Sequence, residues 1–385
     1  MGYPPIFPTL NAVARPGVAP SGLTFTRAST ATRVNALGLI ESVSAGTLRH
    51  DFHPVTGEYK GWLIEESRTN LIPNSGSLSS FVLFTGTSMA SDGTLAPDGV
   101  SPAVKLTSVG ATIAYINTSI AADSRTYTRS LFVKRGTSPT VTIRHLAHQP
   151  FEATYNFDTG MLSGSGAITA QPFANGWVRI GGAGTNDGIK TILGYEILAS
   201  PTISGGYTYV WGAQAEVGVF PTSYIPTASA AATSAADLLT VPVSAFPFNP
   251  AEGTLYCHGT VLALRYSPLL QLDADSAANR IFLDVTEIGT MRAVSTVAGS
   301  VSGMASSSGT VTAGTAFRTA LAYSSAGVGI TLNGAAPVTA AAALPSGITK
   351  LRVGTDSQNI TSGHIRHIAY FPRRLSTADL QTITA

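Results

Sequence analysis

Charge is what this chain has least of. Only 11% of its 385 residues are Asp, Glu, Lys or Arg, against 44% hydrophobic, where an ordinary soluble domain carries about 25% charged residues. So sparse a charged surface argues against a freely diffusing cytosolic enzyme. It suits a durable exterior protein with part of its surface covered by subunit contacts. The net charge of +2 is too small to draw nucleic acid or an anionic membrane as partner. Cysteine is nearly missing: Cys257 stands alone, which excludes an intrachain disulfide framework and reads as a buried apolar thiol. No apolar run approaches the ~20 residues of a membrane helix, so membrane insertion is not expected. Residues Met1 to Pro8 show neither the basic region nor the apolar core of a secretory leader. The expectation is synthesis in the cytoplasm and release without a signal peptide.

What is present is strand signal. Thr140-Val141-Thr142-Ile143-Arg144-His145-Leu146 alternates apolar and polar side chains, the period-two pattern of half-buried antiparallel strands. Gly (39) and Pro (22) interrupt the apolar runs at short intervals, and long helical periodicities are absent. Many short strands with frequent turns read as sandwiches or barrels. One helix is predicted, over Ser376-Thr377-Ala378-Asp379-Leu380, with Ser376 as N-cap and Asp379 three positions on. The fold class is therefore all-β: tandem antiparallel β-sandwiches with a small N-terminal β region. The expected segments are an N-terminal arm and attachment region at 1–72, a sandwich at 73–227, a small-residue linker at 228–236 and a second sandwich at 237–385.

Two stretches flank the middle of the chain: Gly61-Trp62-Leu63-Ile64-Glu65-Glu66-Ser67-Arg68-Thr69-Asn70-Leu71, and Trp211-Gly212-Ala213-Gln214-Ala215-Glu216-Val217-Gly218 running on to Thr222-Ser223-Tyr224-Ile225-Pro226-Thr227. Upstream lie Leu23-Thr24-Phe25-Thr26-Arg27-Ala28 and Arg49-His50-Asp51-Phe52. Between the flanks fall Phe132-Val133-Lys134 and Gly176-Trp177-Val178-Arg179. This ordered series resembles surface proteins of tailed bacteriophages, of the tail-fibre or head- or tail-spike type. The central segment is similar to their carbohydrate-binding-module-like jelly rolls. The last segment, with Gly329-Ile330-Thr331-Leu332-Asn333-Gly334 and Ile365-Arg366-His367-Ile368-Ala369-Tyr370-Phe371, resembles a concanavalin A-like, laminin-G-type sandwich. The resemblance implies a virion structural protein displayed on the particle that recognises and adsorbs to host-surface glycans. Two rivals stand beside that reading: a decoration or spike that binds no sugar, and a glycan depolymerase.

Candidate chemistry is thin, and no catalytic residue is assigned. A glycan-cleaving site needs two carboxyls roughly 5–9.5 Å apart. Glu65 and Glu66 are adjacent, so on a strand they face opposite ways, and Glu65 is expected to pair with Arg68. Asp273 and Asp275 read as a solvated turn, with a cation site as the other reading. The histidines, including His145, His148, His364 and His367, lack metal-ligand spacing and read as ordinary strand residues. Trp62, Trp177 and Trp211 sit inside the family-like stretches and are expected in the core. Tyr115, Phe151, Tyr155 and Tyr195 fall in less regular contexts and are the candidate sugar-stacking rings. No cofactor is required. The jelly rolls that the central segment resembles often hold a structural Ca2+ through oxygen ligands, and Asn74 and Glu216 occupy the matching positions.

The first residues carry the attachment expectation. Tyr3-Pro4-Pro5-Ile6-Phe7-Pro8-Thr9-Leu10 is apolar yet too proline-broken for a helix or central strand. Tyr3, Ile6, Phe7 and Leu10 would then dock on another virion protein of capsid or tail; the other reading folds the arm back on its own first domain. Sparse charge and exposed strand edges point to a homo-oligomer, and the family resemblance implies a trimer.

Overall fold

The computed structural model describes residues 7–18, 21–77, 81–109, 112–145, 150–356 and 358–385. Tyr3, Ile6 and His148 lie outside them. The described chain is all-β, built from several antiparallel sheets arranged as tandem β-sandwich-like units.

The central unit has two six-stranded sheets. One runs in the order Ala167–Pro172, Trp177–Thr185, Thr126–Arg135, Gly206–Val217, Val104–Ser108, Thr87–Ala90. The other is centred on Phe151–Asn156, Thr140–His145 and Ile192–Leu198. Period-two patterning explains the layering: in Phe151–Asn156 the side chains of Phe151, Ala153 and Tyr155 are buried and the alternate ones are half-exposed. The buried faces of both sheets share one core, including Leu106, Tyr127, Leu131, Val141, Ile143, Tyr195 and Val210. Each fully buried Val, Leu, Ile or Phe contributes about 1.5–3 kcal/mol.

The second unit is completed from the far end of the chain. Its eight-stranded sheet takes in Leu10–Val13, Arg49–Phe52 and Tyr59–Ile64 beside Gly253–Val261, Phe317–Ser324, Gly327–Leu332, Val338–Ala340 and Gly363–Phe371. The facing seven-stranded sheet takes Thr24–Thr26, paired with Leu238–Pro242. Trp62 and Ile64 are fully buried among Leu255, Leu270 and Ile365 in this core. The N-terminal strands thus fold into the same two layers as residues 237–385. The small-residue segment at 228–236 contains the strand Ala232–Ser234, paired with Arg68–Asn70.

The predicted helix forms as Thr377–Thr384: Ser376 Oγ accepts from the Asp379 amide at 3.2 Å, and Asp379 sits in the positively polarised first turn. No helix of the described residues is long and apolar enough to cross a membrane.

Candidate functional site

A cleft of about 430 Å³ opens where the N-terminal strands meet the outer face of the central unit. Its floor is a cross-strand row. Gln171 lies opposite Arg179, Arg179 opposite Phe132, and Phe132 opposite Trp211, so these side chains share one face of the sheet. Thr169, two residues before Gln171 on the edge strand, joins that face. The roof is the hairpin of Ala31–Val34 and Ile40–Val43, followed by Asp51, Phe52 and Lys60. Phe220, Pro221 and Thr222 close one side, and His364 and Leu262 another. The hairpin seats closely because Gly38, at φ +76°, has no side chain: a Cβ there would lie 2.3 Å from the Pro54 carbonyl and 2.8 Å from the Ala174 Cβ.

Behind the cleft lies a buried charge network that joins all parts of the chain. Arg27 Nη1 donates to Asp237 Oδ1 at 3.0 Å, and Arg49 donates to the other Asp237 oxygen. Arg49 Nη1 also donates to Glu65 Oε2 at 2.7 Å. Glu65 accepts further from the Ser223 amide at 2.9 Å and the Ser223 hydroxyl at 2.6 Å. Burial alone would push the Glu65 carboxyl upward; the Arg49 charge and the Ser223 donors outweigh it and hold the group below the ordinary glutamate range. Asn70 performs the matching task for neutral groups. Its amide donates to the carbonyls of Ala213 and Ile225 at 3.0 and 2.9 Å, and its oxygen accepts from the amides of Ile72 and Ala215. The two family-like stretches therefore clasp one another, and their polar residues are structural.

A second buried pair borders the cleft. His364 Nε2 lies 2.8 Å from Asp51 Oδ2, and His364 Nδ1 lies 3.2 Å from the Thr260 hydroxyl. Burial lowers the His364 pKa, so the neutral ring donates to Asp51 and accepts from Thr260. Asp51 also accepts from the Val34 amide at 2.8 Å. Burial works to raise its pKa, and these hydrogen bonds bring it below the ordinary aspartate range. Both carboxylates that line the cleft are thus held ionised and saturated with donors. General-acid catalysis at a glycosidic bond needs a carboxyl whose pKa is raised. Neither Asp51 nor Glu65 has that property.

The residues singled out from the sequence are scattered. Phe151 and Tyr195 are 0% exposed and Tyr155 7% exposed, all in the core of the central unit. A ring with no exposed face cannot stack on a sugar, and the expectation is corrected for these three. For Phe151 and Tyr155 the alternation along Phe151–Asn156 is the sign that places them inside, whereas Tyr195 sits in a strand buried on successive residues. Tyr115, half-buried, lies on Ala114–Ser119 away from the cleft. The three tryptophans are buried as expected, Trp177 donating its indole N–H to the Leu95 carbonyl at 3.1 Å. Glu216 is fully buried and spends its oxygens on the Thr222 amide, the Thr222 hydroxyl and the Gln214 amide, at 2.6, 2.8 and 3.0 Å. Asn74 adopts φ 52° with its amide on the Ala228 carbonyl. Among the described residues no group of three or more His, Cys, Asp or Glu is placed to hold a metal ion.

Three other expectations change. Glu65 pairs with Arg49, not Arg68; Arg68 pairs with Glu66, which also binds Arg265 at 2.7 Å. Asp273 is buried and bonded to Arg352 at 2.6 Å, while only Asp275 is in an exposed turn. Leu10 is not an exposed anchor: it packs in the core of the second unit, its strand paired with Gly363–Phe371, whereas Phe7 is 75% exposed. The cleft itself was missed from the sequence. Asp51 and Arg179 fall within stretches noted for their family likeness, but nothing in their spacing shows that they converge.

The sequence matches no protein-family model and no curated protein. The solved structures that it matches are distant. A carbohydrate-binding module of family 40 from a Ruminococcus gnavus IT-sialidase, solved bound to α2,3-sialyllactose, is 13% identical with a TM-score of 0.31; the match covers 36% of this chain and 84% of that one. A heptameric SAP-like pentraxin from Limulus polyphemus is 14% identical with a TM-score of 0.30, over 35% and 70%. A tandem of two family 22 carbohydrate-binding modules from Paenibacillus barcinonensis Xyn10C is 11% identical with a TM-score of 0.26, over 81% and 98%. By its own sheets the chain is a multi-domain all-β protein, and its similarity to these carbohydrate-binding and lectin-like domains is distant.

Proposed function

We propose that this protein is a non-catalytic, glycan-recognising structural protein of a tailed-phage particle, displayed on the virion as a fibre or spike. The observation that carries the sugar-binding part is the cleft. It combines a half-exposed ring, Phe52, with exposed hydroxyl and amide groups, Thr169 and Gln171, and charged groups held in place by buried partners. A concave site of mixed apolar and convergent polar groups is the usual form of a small-ligand site. The virion part rests on the ordered sequence motifs, and attachment falls to the arm before Leu10, where Phe7 is exposed. The protein works as a homo-oligomer, trimeric by the same resemblance, and binds without a cofactor.

The carboxylates Asp51 and Glu65 line the same cleft, so a depolymerase is the reading to test against. Purified protein is incubated with capsule or lipopolysaccharide extracts from candidate hosts, and the products are sized. The expected result is retention of polysaccharide without shortening. Release of oligosaccharides, lost on Asp51→Asn or Glu65→Gln with the fold intact, would overturn the non-catalytic reading. Failure to retain any polysaccharide would favour a decoration that binds no sugar.

A further inference from the structure

Accepting that the cleft is a saccharide site, we infer that its ligand is an acidic saccharide whose carboxylate is drawn to Lys60 and Arg179. Arg33 is paired with Glu41 at 2.5 Å and Glu65 with Arg49 at 2.7 Å, while Asp51 keeps its charge and has its oxygens engaged by the neutral His364 N–H and the Val34 amide, each at 2.8 Å. Lys60 and Arg179 also line the cleft. Neither has a carboxylate within 4.0 Å among the described residues. The carboxylate oxygens on the wall are already hydrogen-bonded, whereas Lys60 feels Asp51 and Glu58, and Arg179 feels Glu216 and Glu65, only through space and without a direct ion pair.

Arg179 is the more telling of the two, because it is only 6% exposed. A guanidinium carries five N–H donors. Here Nε and Nη2 donate to the Ser130 hydroxyl at 3.1 and 2.9 Å, and Nη1 donates to the Thr222 carbonyl at 2.5 Å. Those three bonds leave one N–H on each terminal nitrogen for an anionic ligand. The group is fixed in place by packing over the Phe132 ring, 5.3 Å from its centroid. A cation buried without an adjacent counter-charge is costly, and a ligand anion would relieve that cost in a low-dielectric setting where the attraction is strongest. Gln171, opposite Arg179 in register, and Thr169 beside it supply neutral donors and acceptors suited to sugar hydroxyls. That combination favours an acidic sugar over a bare inorganic anion.

The test uses the full chain and titration calorimetry. The probes are tetrasaccharides of polygalacturonate, alginate and polysialic acid, each beside its carboxyl-reduced form, with inorganic phosphate as competitor. At least one acidic probe is expected to bind about tenfold or more tighter than its reduced form at low salt, and to weaken at 0.5 M NaCl. Lys60→Gln and Arg179→Lys should each remove most of that preference for the acidic over the reduced form. Equal binding of acidic and reduced forms would overturn the charge inference and leave the saccharide site standing. Binding of neither would overturn both. Acidic binding that survives both substitutions, or that millimolar phosphate abolishes, would also sink the inference. Should Arg179→Lys fail to fold, Lys60→Gln and the salt dependence still decide.

Discussion

Arg49 and Asp237 form a fully buried ion pair between residues 188 positions apart in sequence. Asp237 also receives Arg27 and the backbone amide of Glu65. One carboxylate thereby pins the N-terminal strands to the start of the second sandwich, and through Glu65 and Ser223 to the end of the first. Removing Asp237 leaves the buried Arg27 without its carboxylate and Arg49 with Glu65 alone.

Asp237→Ala should therefore destabilise the protein by about 3–5 kcal/mol, because Arg27 loses its only paired carboxylate among the described residues and Arg49 one of two. Asp158→Ala, which breaks the half-exposed pair with Arg135, should stay within about 0.5 kcal/mol. Urea denaturation of both variants measures the contrast; similar losses would contradict the assigned role of the network.

Stability should fall on mild acidification. Burial lowers the pKa of His364 and His367, and of His50 together with the nearby Arg33 charge; His258 is pushed down to about 4. Unfolded histidine titrates near 6.5, so below that pH the unfolded chain binds more protons than the folded one. The contribution is full above about pH 6.5 and is lost as pH falls toward the folded values. For the fully buried His364 the slope reaches up to about 1.4 kcal/mol per pH unit. Denaturation midpoints between pH 7.5 and 5 check the sign, and His364→Gln should flatten the curve.

Gly38→Ala should loosen the roof of the cleft. Its φ of +76° disfavours a side chain, and the added Cβ would meet the Pro54 carbonyl and Ala174. A loss of about 1–3 kcal/mol is expected, with weakened saccharide binding beyond what the stability loss explains. Gly46→Ala, with φ +68° but open space around it, is the control that separates backbone strain from the contact.

Cys257 should be inert in the native state. It is fully buried, and burial pushes its thiol up to about 12, so almost no thiolate exists at neutral pH. A thiol-reactive chromophore should titrate no cysteine until denaturant is added. Prompt native-state labelling would show that the strand Gly253–Val261 opens locally.

Much of the local structure was legible in residue order. The alternation of Phe151 to Asn156 set a half-buried strand, and the Ser376–Asp379 spacing set a helix start. The same alternation, followed through, places Phe151 and Tyr155 inside and removes them as sugar-binding rings, while Tyr195 is buried by the pairing of its strand and not by local alternation. The tryptophans were correctly expected in the core.

What the sequence by itself determined is the all-β class, since period-two patterning and frequent turn residues are short-range properties of the chain. It determined also that no disulfide could staple the fold, because Cys257 is alone. Only the tertiary structure decided that Leu10, Arg49 and Trp62 belong with residues beyond 237, that Glu65 answers Arg49 instead of its near neighbour Arg68, and that Lys60 and Arg179 face one cleft. Strand pairing and buried charge compensation depend on which distant segments come together. That choice is made by the summed burial of whole sheet faces, which no local spacing records.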